Sequence, residues 1–453
     1  MTTRKLLEQA AQFAIEYVET VDSRPIHPPK EAVEALRGLF EPFPAKQSDP
    51  EQVIERLQEL CNPALMGMTN PRFFGFVIGS AFPVSMASNW MATSWDQNTA
   101  YFNATPATTV LEDIALRWMC DVFGFPEGTG GAFVTGATVA NFCALAAARN
   151  SVLRDAGWDV EADGLIGAPT ITVITGAEAH PTLFKSLGML GLGRNRVVKI
   201  PVDDQGRMLA DKLPTISGPT IVCTQAGNIN SGAFDPIGEV CDIAHDAGAW
   251  VHVDGAFGLW ALASEKYKHL AEGVTKADSW ATDAHKWLNV TYDSGLAFVK
   301  DPSRLRAAMA ITAEYLPPVG TERNPGEYTP ELSRRARGVE VWAVLKHLGR
   351  EGLTDLVDRL CARAKQFGDA LKEAGYDVLN DVVLNQVTVS FGDADTNARI
   401  IKGIQEDGTC WCGPTTWQGK DAMRISVSGY ATSEEDVEKS LEVILRIAES
   451  ESA

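Results

Sequence analysis

From about residue 130 to residue 300 the chain repeats one pattern. Short apolar runs alternate with longer stretches in which apolar positions recur every three or four residues. The runs are 132–135, 171–175, 196–202, 220–224, 250–254, 279–282 and 296–300, most of them rich in Val, Ile or Thr and followed by Gly or polar residues. Apolar runs of this length, closed by turn residues, read as strands buried on both faces. Their alternation with helical patterns predicts an α/β fold, a mainly parallel seven-stranded sheet flanked by helices. One connecting helix is punctuated at both ends: Asp235 as N-cap, Pro236 as first helical residue, Gly248 beyond the last turn. Residues 283–295 leave little room for a crossover helix, so the last strand is expected to run antiparallel.

The pattern changes outside this region. Residues 1–65 read as a helical arm broken by Pro25, Pro28 and Pro29. Leu6, Ala10, Phe13 and Tyr17 share one face of its first helix and require something to pack on. Residues 66–350 form the expected large domain. Beyond 351 come a helix over 353–374, strands over 387–391 and 423–428, and a last helix starting at Ser433, which together predict a small C-terminal α+β domain.

Composition narrows the function. The 453 residues carry a formal charge of −19, which disfavours a nucleic-acid or anionic-membrane surface. A small anionic ligand remains allowed, because backbone N–H groups can hold it. The opening residues are amphipathic rather than a secretory leader, and no apolar run approaches membrane-spanning length. The scattered cysteines, among them Cys120, Cys143 and Cys223, suit buried thiols of a reducing cytoplasmic compartment. Cys410 and Cys412 have the wrong spacing for a common zinc pair and no nearby histidine, so no metal is expected.

In open parallel sheets, ligands bind beyond the carboxyl ends of the strands, and four segments stand there. Residues 128–141 pass from a strand through Thr135, Gly136, Ala137 and Thr138 into an Ala-rich helix. Small residues and a helix start make a phosphate seat; a tight turn packing helix on strand has the same composition. His180 follows the run at 171–175, either as a structural histidine or as a ring that stacks on a flat ligand. Asp254 ends an apolar strand, as a turn residue or as a counter-charge to a protonated ring nitrogen. His285 and Lys286 precede Trp287 and Leu288, an apolar setting unusual for a surface lysine, and lysine on burial becomes a nucleophilic amine. Phosphate seat, stacking ring, carboxylate and amine are together the parts that hold pyridoxal 5′-phosphate.

The order of these parts resembles the group II pyridoxal-phosphate-dependent decarboxylases, fold-type I enzymes acting on aromatic amino acids, histidine, glutamate or cysteine sulfinate. Asn70 to Phe74, Phe133 to Asn141, His252-Val-Asp254, His285-Lys-Trp-Leu288, Leu332 to Ala336, and Met423 to Val427 with Ala431 to Val437 carry the likeness. The resemblance implies that Lys286 forms the Schiff base with the cofactor, His180 stacks on its ring and Asp254 pairs with the ring nitrogen. Ala137 and Thr138, helped by His285, would seat the phosphate. Asn228 stands where the family often has Thr, which places it among the cofactor contacts. The implied reaction is decarboxylation of an L-amino acid in a site at a homodimer interface. A tyrosine on a mobile loop would return the proton, and residues 314–330 offer Tyr315 and Tyr328, with Tyr328 favoured by its spacing to Arg334 and Arg335. The same scaffold also serves aldehyde synthesis, C–C or C–S lysis and amino transfer. Phe73, Phe74, Phe76, Trp90, Trp95, Tyr101 and Phe102 suggest an aromatic substrate; an aromatic core or dimer interface uses the same residues.

Overall fold

The computed structural model describes residues 2–311 and 322–452. Its large sheet has seven strands: β1 Gly130–Val134, β2 Thr172–Gly176, β3 Val198–Ile200, β4 Thr220–Gln225, β5 Trp250–Asp254, β6 Ser279–Asp283 and β7 Gly295–Val299. Their order is β1-β7-β6-β5-β4-β2-β3. β2 to β6 pair in parallel, while β7 lies antiparallel to both β6 and β1. The expected antiparallel strand is therefore β7, reached by the short loop that carries Lys286. β4, β6 and β7 are buried along their whole length, as a sheet covered on both faces demands.

One helix boundary departs from expectation. The helix after β4 is Ile237–Asp246, and Asp235 does not cap it. The Asp235 carboxylate instead accepts the Met208 and Gln225 backbone N–H groups, each at 2.7 Å, and burial raises its pKa to about 6. Tertiary donors outcompeted the local ones that a capping pattern assumes.

The small C-terminal sheet has four antiparallel strands: β8 Asp377–Val378, β9 Gln386–Ser390, β10 Gly413–Trp417 and β11 Lys420–Ser426, ordered β10-β11-β9-β8. β8 and β10 escape the sequence pattern because one is two residues long and the other begins Gly-Pro on the sheet edge. A long helix, Gly338–Glu373, broken at Gly349, leads into this sheet. Residues 70–80 stitch the sheet to the large one: the Phe74 N–H donates to the Trp411 carbonyl at 2.8 Å, and the Ser426 N–H donates to the Phe74 carbonyl at 3.0 Å. Arg72 adds a 2.9 Å ion pair with Asp436.

The first helix, Thr3–Thr20, buries none of its residues. Phe13 and Tyr17 line an open apolar groove shared with the helix Pro50–Cys61 and with Trp90. No helix among the described residues is long and apolar enough to cross a membrane.

Candidate functional site

A cavity of about 280 Å³ lies beyond the carboxyl ends of β1, β2, β4, β5 and β6. Gly136, Ala137, Thr138, His180, Asp254, His285 and Lys286 line it, which brings together residues up to 150 positions apart in the chain. Two expected contacts lie elsewhere. Asn228 is buried away from the cavity, its Oδ1 accepting the Asn230 N–H at 2.8 Å and its Nδ2 donating to Glu178 at 3.3 Å, so it braces a turn. Gly227 and Ile229 form the wall beside it. Tyr328 packs against another cluster, which includes Ala132, Val134 and Ala140, with the Arg323 guanidinium 4.6 Å from its ring centre. Tyr315 lies outside the described residues.

The Lys286 loop is held from several sides. Trp287 and Leu288 are buried, which explains their apolar identity by packing rather than by the amine's chemistry. Asn289 next to them accepts the Ser80 N–H at 2.7 Å and donates to the Ser428 carbonyl at 3.0 Å. The backbone of Gly79 lies against the loop so closely that a Cβ there would sit 1.8 Å from the Lys286 carbonyl oxygen. Gly295 permits a similar approach, since its Cβ would sit 2.4 Å from the Gly136 Cα. Lys286 therefore has a fixed backbone, and its side chain lines the cavity.

A residue that sequence reasoning passed over completes this corner. Asp283 is buried at the end of β6, 2.9 Å from the Lys286 Nζ and 3.5 Å from the His285 Nε2, and it accepts the Ala137 N–H at 2.6 Å. It thus ties the lysine to the first amide of the helix Ala137–Asp155. The signal was its i, i+3 spacing to Lys286 in the turn after the strand.

His180 begins the helix Pro181–Met189, and its Nδ1 lies 2.7 Å from the Thr182 hydroxyl, which sets the ring's orientation. Burial lowers its pKa, Asp254 opposes that, and the Lys286 and Arg424 cations add to it. The neutral ring is the form suited to stacking on a flat, positively charged heterocycle. Burial likewise lowers the pKa of His285, whose ring stacks on Tyr292 at 4.3 Å and whose Nδ1 accepts the Ser294 N–H at 3.1 Å.

Arg424 is the second residue missed. Strand alternation on β11 marked it as an outward polar position, yet it is half-buried against the inter-sheet stitch. Burial lowers its pKa to about 10. It donates to the Phe76 carbonyl at 3.3 Å, and among the described residues no carboxylate forms an ion pair with it. A half-buried guanidinium close enough to act on His180 is a ready anion receptor.

The seven aromatics do not line this cavity; Phe257 does. Phe74 is core, edge-on to Phe367 at 5.0 Å, while Phe73 and Phe76 both stack on Trp411, at 5.2 and 5.5 Å. Trp90 and Trp95 are partly exposed on the helix Pro83–Trp95.

Comparison with known proteins supplies independent findings. A family model described as the pyridoxal-dependent decarboxylase conserved domain matches residues 34–391. The chain is 27% identical over 455 residues to an aromatic-L-amino-acid decarboxylase of Bacillus atrophaeus, covering 95% of this chain and 92% of that one. Its fold matches that of the Oryza sativa TDC solved with PLP and tryptamine, with a TM-score of 0.90, 24% identity and coverage of 99% and 97%. It also matches the fold of Rhodiola rosea 4-hydroxyphenylacetaldehyde synthase, with a TM-score of 0.86, 20% identity and 99% of each chain covered.

Proposed function

The chain belongs to the pyridoxal-phosphate-dependent decarboxylase family of fold type I, and from that premise we propose that it converts an L-amino acid to the amine and CO2. The observation that carries the reading is the convergence of the Lys286 amine, the Asp254 carboxylate, the His180 ring and the start of the helix Ala137–Asp155 on one cavity.

These residues fit pyridoxal 5′-phosphate by their chemistry. Lys286 offers the amine that attaches to an aldehyde, and Asp254 an anion for a pyridinium nitrogen. His180 supplies a flat neutral ring. The Thr138 amide and hydroxyl, beside the small Ala137, supply donors for a phosphate at the positive end of a helix. When bound, the cofactor supplies an electron sink for the electrons left at Cα after the carboxylate departs.

The chain's own residues then have distinct tasks. Asp283 holds the Lys286 ammonium and is positioned to exchange a proton with its amine. Arg424 receives the substrate carboxylate and orients the bond to be broken. The apolar burial of the loop keeps water from the lysine. An aromatic substrate is supported by Phe76, 60% exposed and stacked on Trp411 beside Arg424. Of the two loop tyrosines, Tyr328 lies outside this cavity, so the proton donor to Cα is Tyr315, or Tyr328 supplied by a second copy of the chain. A second copy of the chain completes the assembly, supported by the arm's open apolar groove and by exposed Leu7, Leu57 and Trp90 around it.

The test is to incubate the cofactor-loaded enzyme with each standard amino acid and measure amine, CO2, ammonia and peroxide. Amine equal to CO2 is the expected result. Ammonia and peroxide would assign aldehyde synthesis instead, and a requirement for a keto acid would assign amino transfer. Replacing Arg424 by Gln is expected to raise KM by about tenfold or more through loss of a charged hydrogen bond. Michaelis–Menten kinetics check this, and an unchanged KM removes Arg424 from substrate binding.

A further inference from the structure

Behind Asp254 runs a buried line of polar side chains. The Trp250 Nε1 lies 2.9 Å from the Ser279 Oγ, which lies 2.9 Å from the His252 Nδ1. The His252 Nε2 lies 2.9 Å from the Asn141 Oδ1, and the Asn141 Nδ2 lies 3.0 Å from the Asp254 Oδ2. Asn141, His252 and Ser279 have no exposed surface, and Asp254 has 6%. Four contacts of hydrogen-bond length in a row, crossing from β6 through β5 to the helix Ala137–Asp155, link groups that burial forbids to remain unpaired.

The line can carry protons' positions in only two ways. An indole N–H only donates. In the first arrangement the Ser279 hydroxyl accepts from Trp250 and donates to the His252 Nδ1. The His252 Nε2–H then donates to Asn141, whose amide donates to an ionised Asp254. In the reverse arrangement a protonated Asp254 donates to Asn141, and the His252 Nδ1–H donates back to Ser279. Ser279 would then accept twice, and its own hydroxyl proton would be left buried without an acceptor, which costs about 1–3 kcal/mol. The first arrangement satisfies every group. A doubly protonated His252 fits neither, and burial lowers its pKa to about 3.

We infer that Asn141 and His252 are positioning residues that hold Asp254 as an oriented anion, so that its cavity-facing lone pairs meet a cationic ring nitrogen. The inference rests on the proposed cofactor reading for its purpose, though not for its geometry. One further donor, the Ala256 N–H, lies 3.3 Å from the Asp254 Oδ1. The titratable groups acting on Asp254 are Cys223 on β4 and His180 after β2, and His180 in turn faces Lys286 after β6, Arg424 on β11 and Asp283 at the end of β6. Against this mixed surround, an ordered donor chain fixes the carboxylate's charge and direction. Links in such a chain polarise one another, so its effect exceeds that of one amide.

The tautomer of His252 reads out the arrangement without any cofactor. In nitrogen-15 NMR of the histidine-labelled protein, assigned with His252→Gln, the expected result is an Nε2–H tautomer that does not titrate between about pH 5 and 8. An Nδ1–H or doubly protonated ring overturns the inference. Reconstitution with pyridoxal 5′-phosphate tests the purpose. Asn141→Leu and His252→Leu are expected to weaken cofactor binding by about tenfold or more and to move the pH midpoint of its visible absorbance, whereas His252→Gln, which keeps a donor toward Asn141, retains both. Wild-type affinity and midpoint in Asn141→Leu overturn the inference. Failure of the wild-type protein to develop the visible band defeats the cofactor reading instead, and the tautomer still decides the relay.

Discussion

Lys286→Ala abolishes the visible absorbance that the protein develops with pyridoxal 5′-phosphate and lowers turnover by about 10³-fold or more, the scale of losing a covalent catalytic group. The fold survives the change. The loop is anchored by buried Trp287 and Leu288 and by Asn289's bonds to Ser80 and Ser428, none of which use the lysine side chain. Asp283 loses its 2.9 Å cation but keeps the Ala137 N–H. Absorbance spectra and steady-state rates, with circular dichroism as the control for folding, measure the result. A variant that keeps the visible band places the covalent attachment elsewhere and removes the foundation of the proposed chemistry.

Arg334→Ala is expected to destabilise the protein by about 3–5 kcal/mol, the range for removing one partner of a buried ion pair. Glu112 has no side-chain exposure and Arg334 has 1%, with 2.7 Å between them. Arg334 also donates to the Thr99 and Phe133 carbonyls, each at 2.7 Å. The substitution leaves a carboxylate and two carbonyls in the interior, with Arg323 at 3.2 Å as the remaining cation for Glu112. Phe133 is on β1, three residues before Gly136, so the loss is felt at the start of the cavity-lining helix. Denaturant or thermal unfolding measures the effect against Arg350→Ala. Arg350 pairs with Asp121 at an exposed site, and its removal is expected to leave the midpoint in place. Equal effects in the two variants would show that the buried network contributes nothing.

Arg334 lies within the segment Leu332 to Ala336, which carried part of the family likeness. Its environment gives that likeness a structural cause: the arginine is a strut inside the large domain and touches no part of the cavity. Asn70 has a similar use, donating to the Val21 carbonyl at 2.9 Å to tie the N-terminal arm down. A family block can therefore record a packing requirement as readily as a chemical one.

The strands of the large sheet and their mainly parallel run were readable because a strand buried on both faces must be largely apolar, and β2, β4, β5, β6 and β7 obey this locally. The same logic located Lys286, Asp254, His180 and Ala137, since a polar residue at the end of such a strand interrupts an apolar run. Where a side chain served a distant partner, the pattern carried no mark of it. Asp235 looked like a cap and became a receptor for two remote amides. Asn228 looked like a ligand contact and became the brace of a turn. β10 and β8 were too short or too interrupted to register.

What the sequence by itself determined is thus the set of chemical parts and the strand ends that carry them, because alternation and burial along one segment are local properties. Only the tertiary structure decided which parts meet. The Ala137 amide on Asp283, the Arg424 guanidinium on the Phe76 carbonyl, and the line from Trp250 to Asp254 all join residues from separate segments. Their energies depend on distance and desolvation across the fold, and neither quantity is written in the order of residues along the chain.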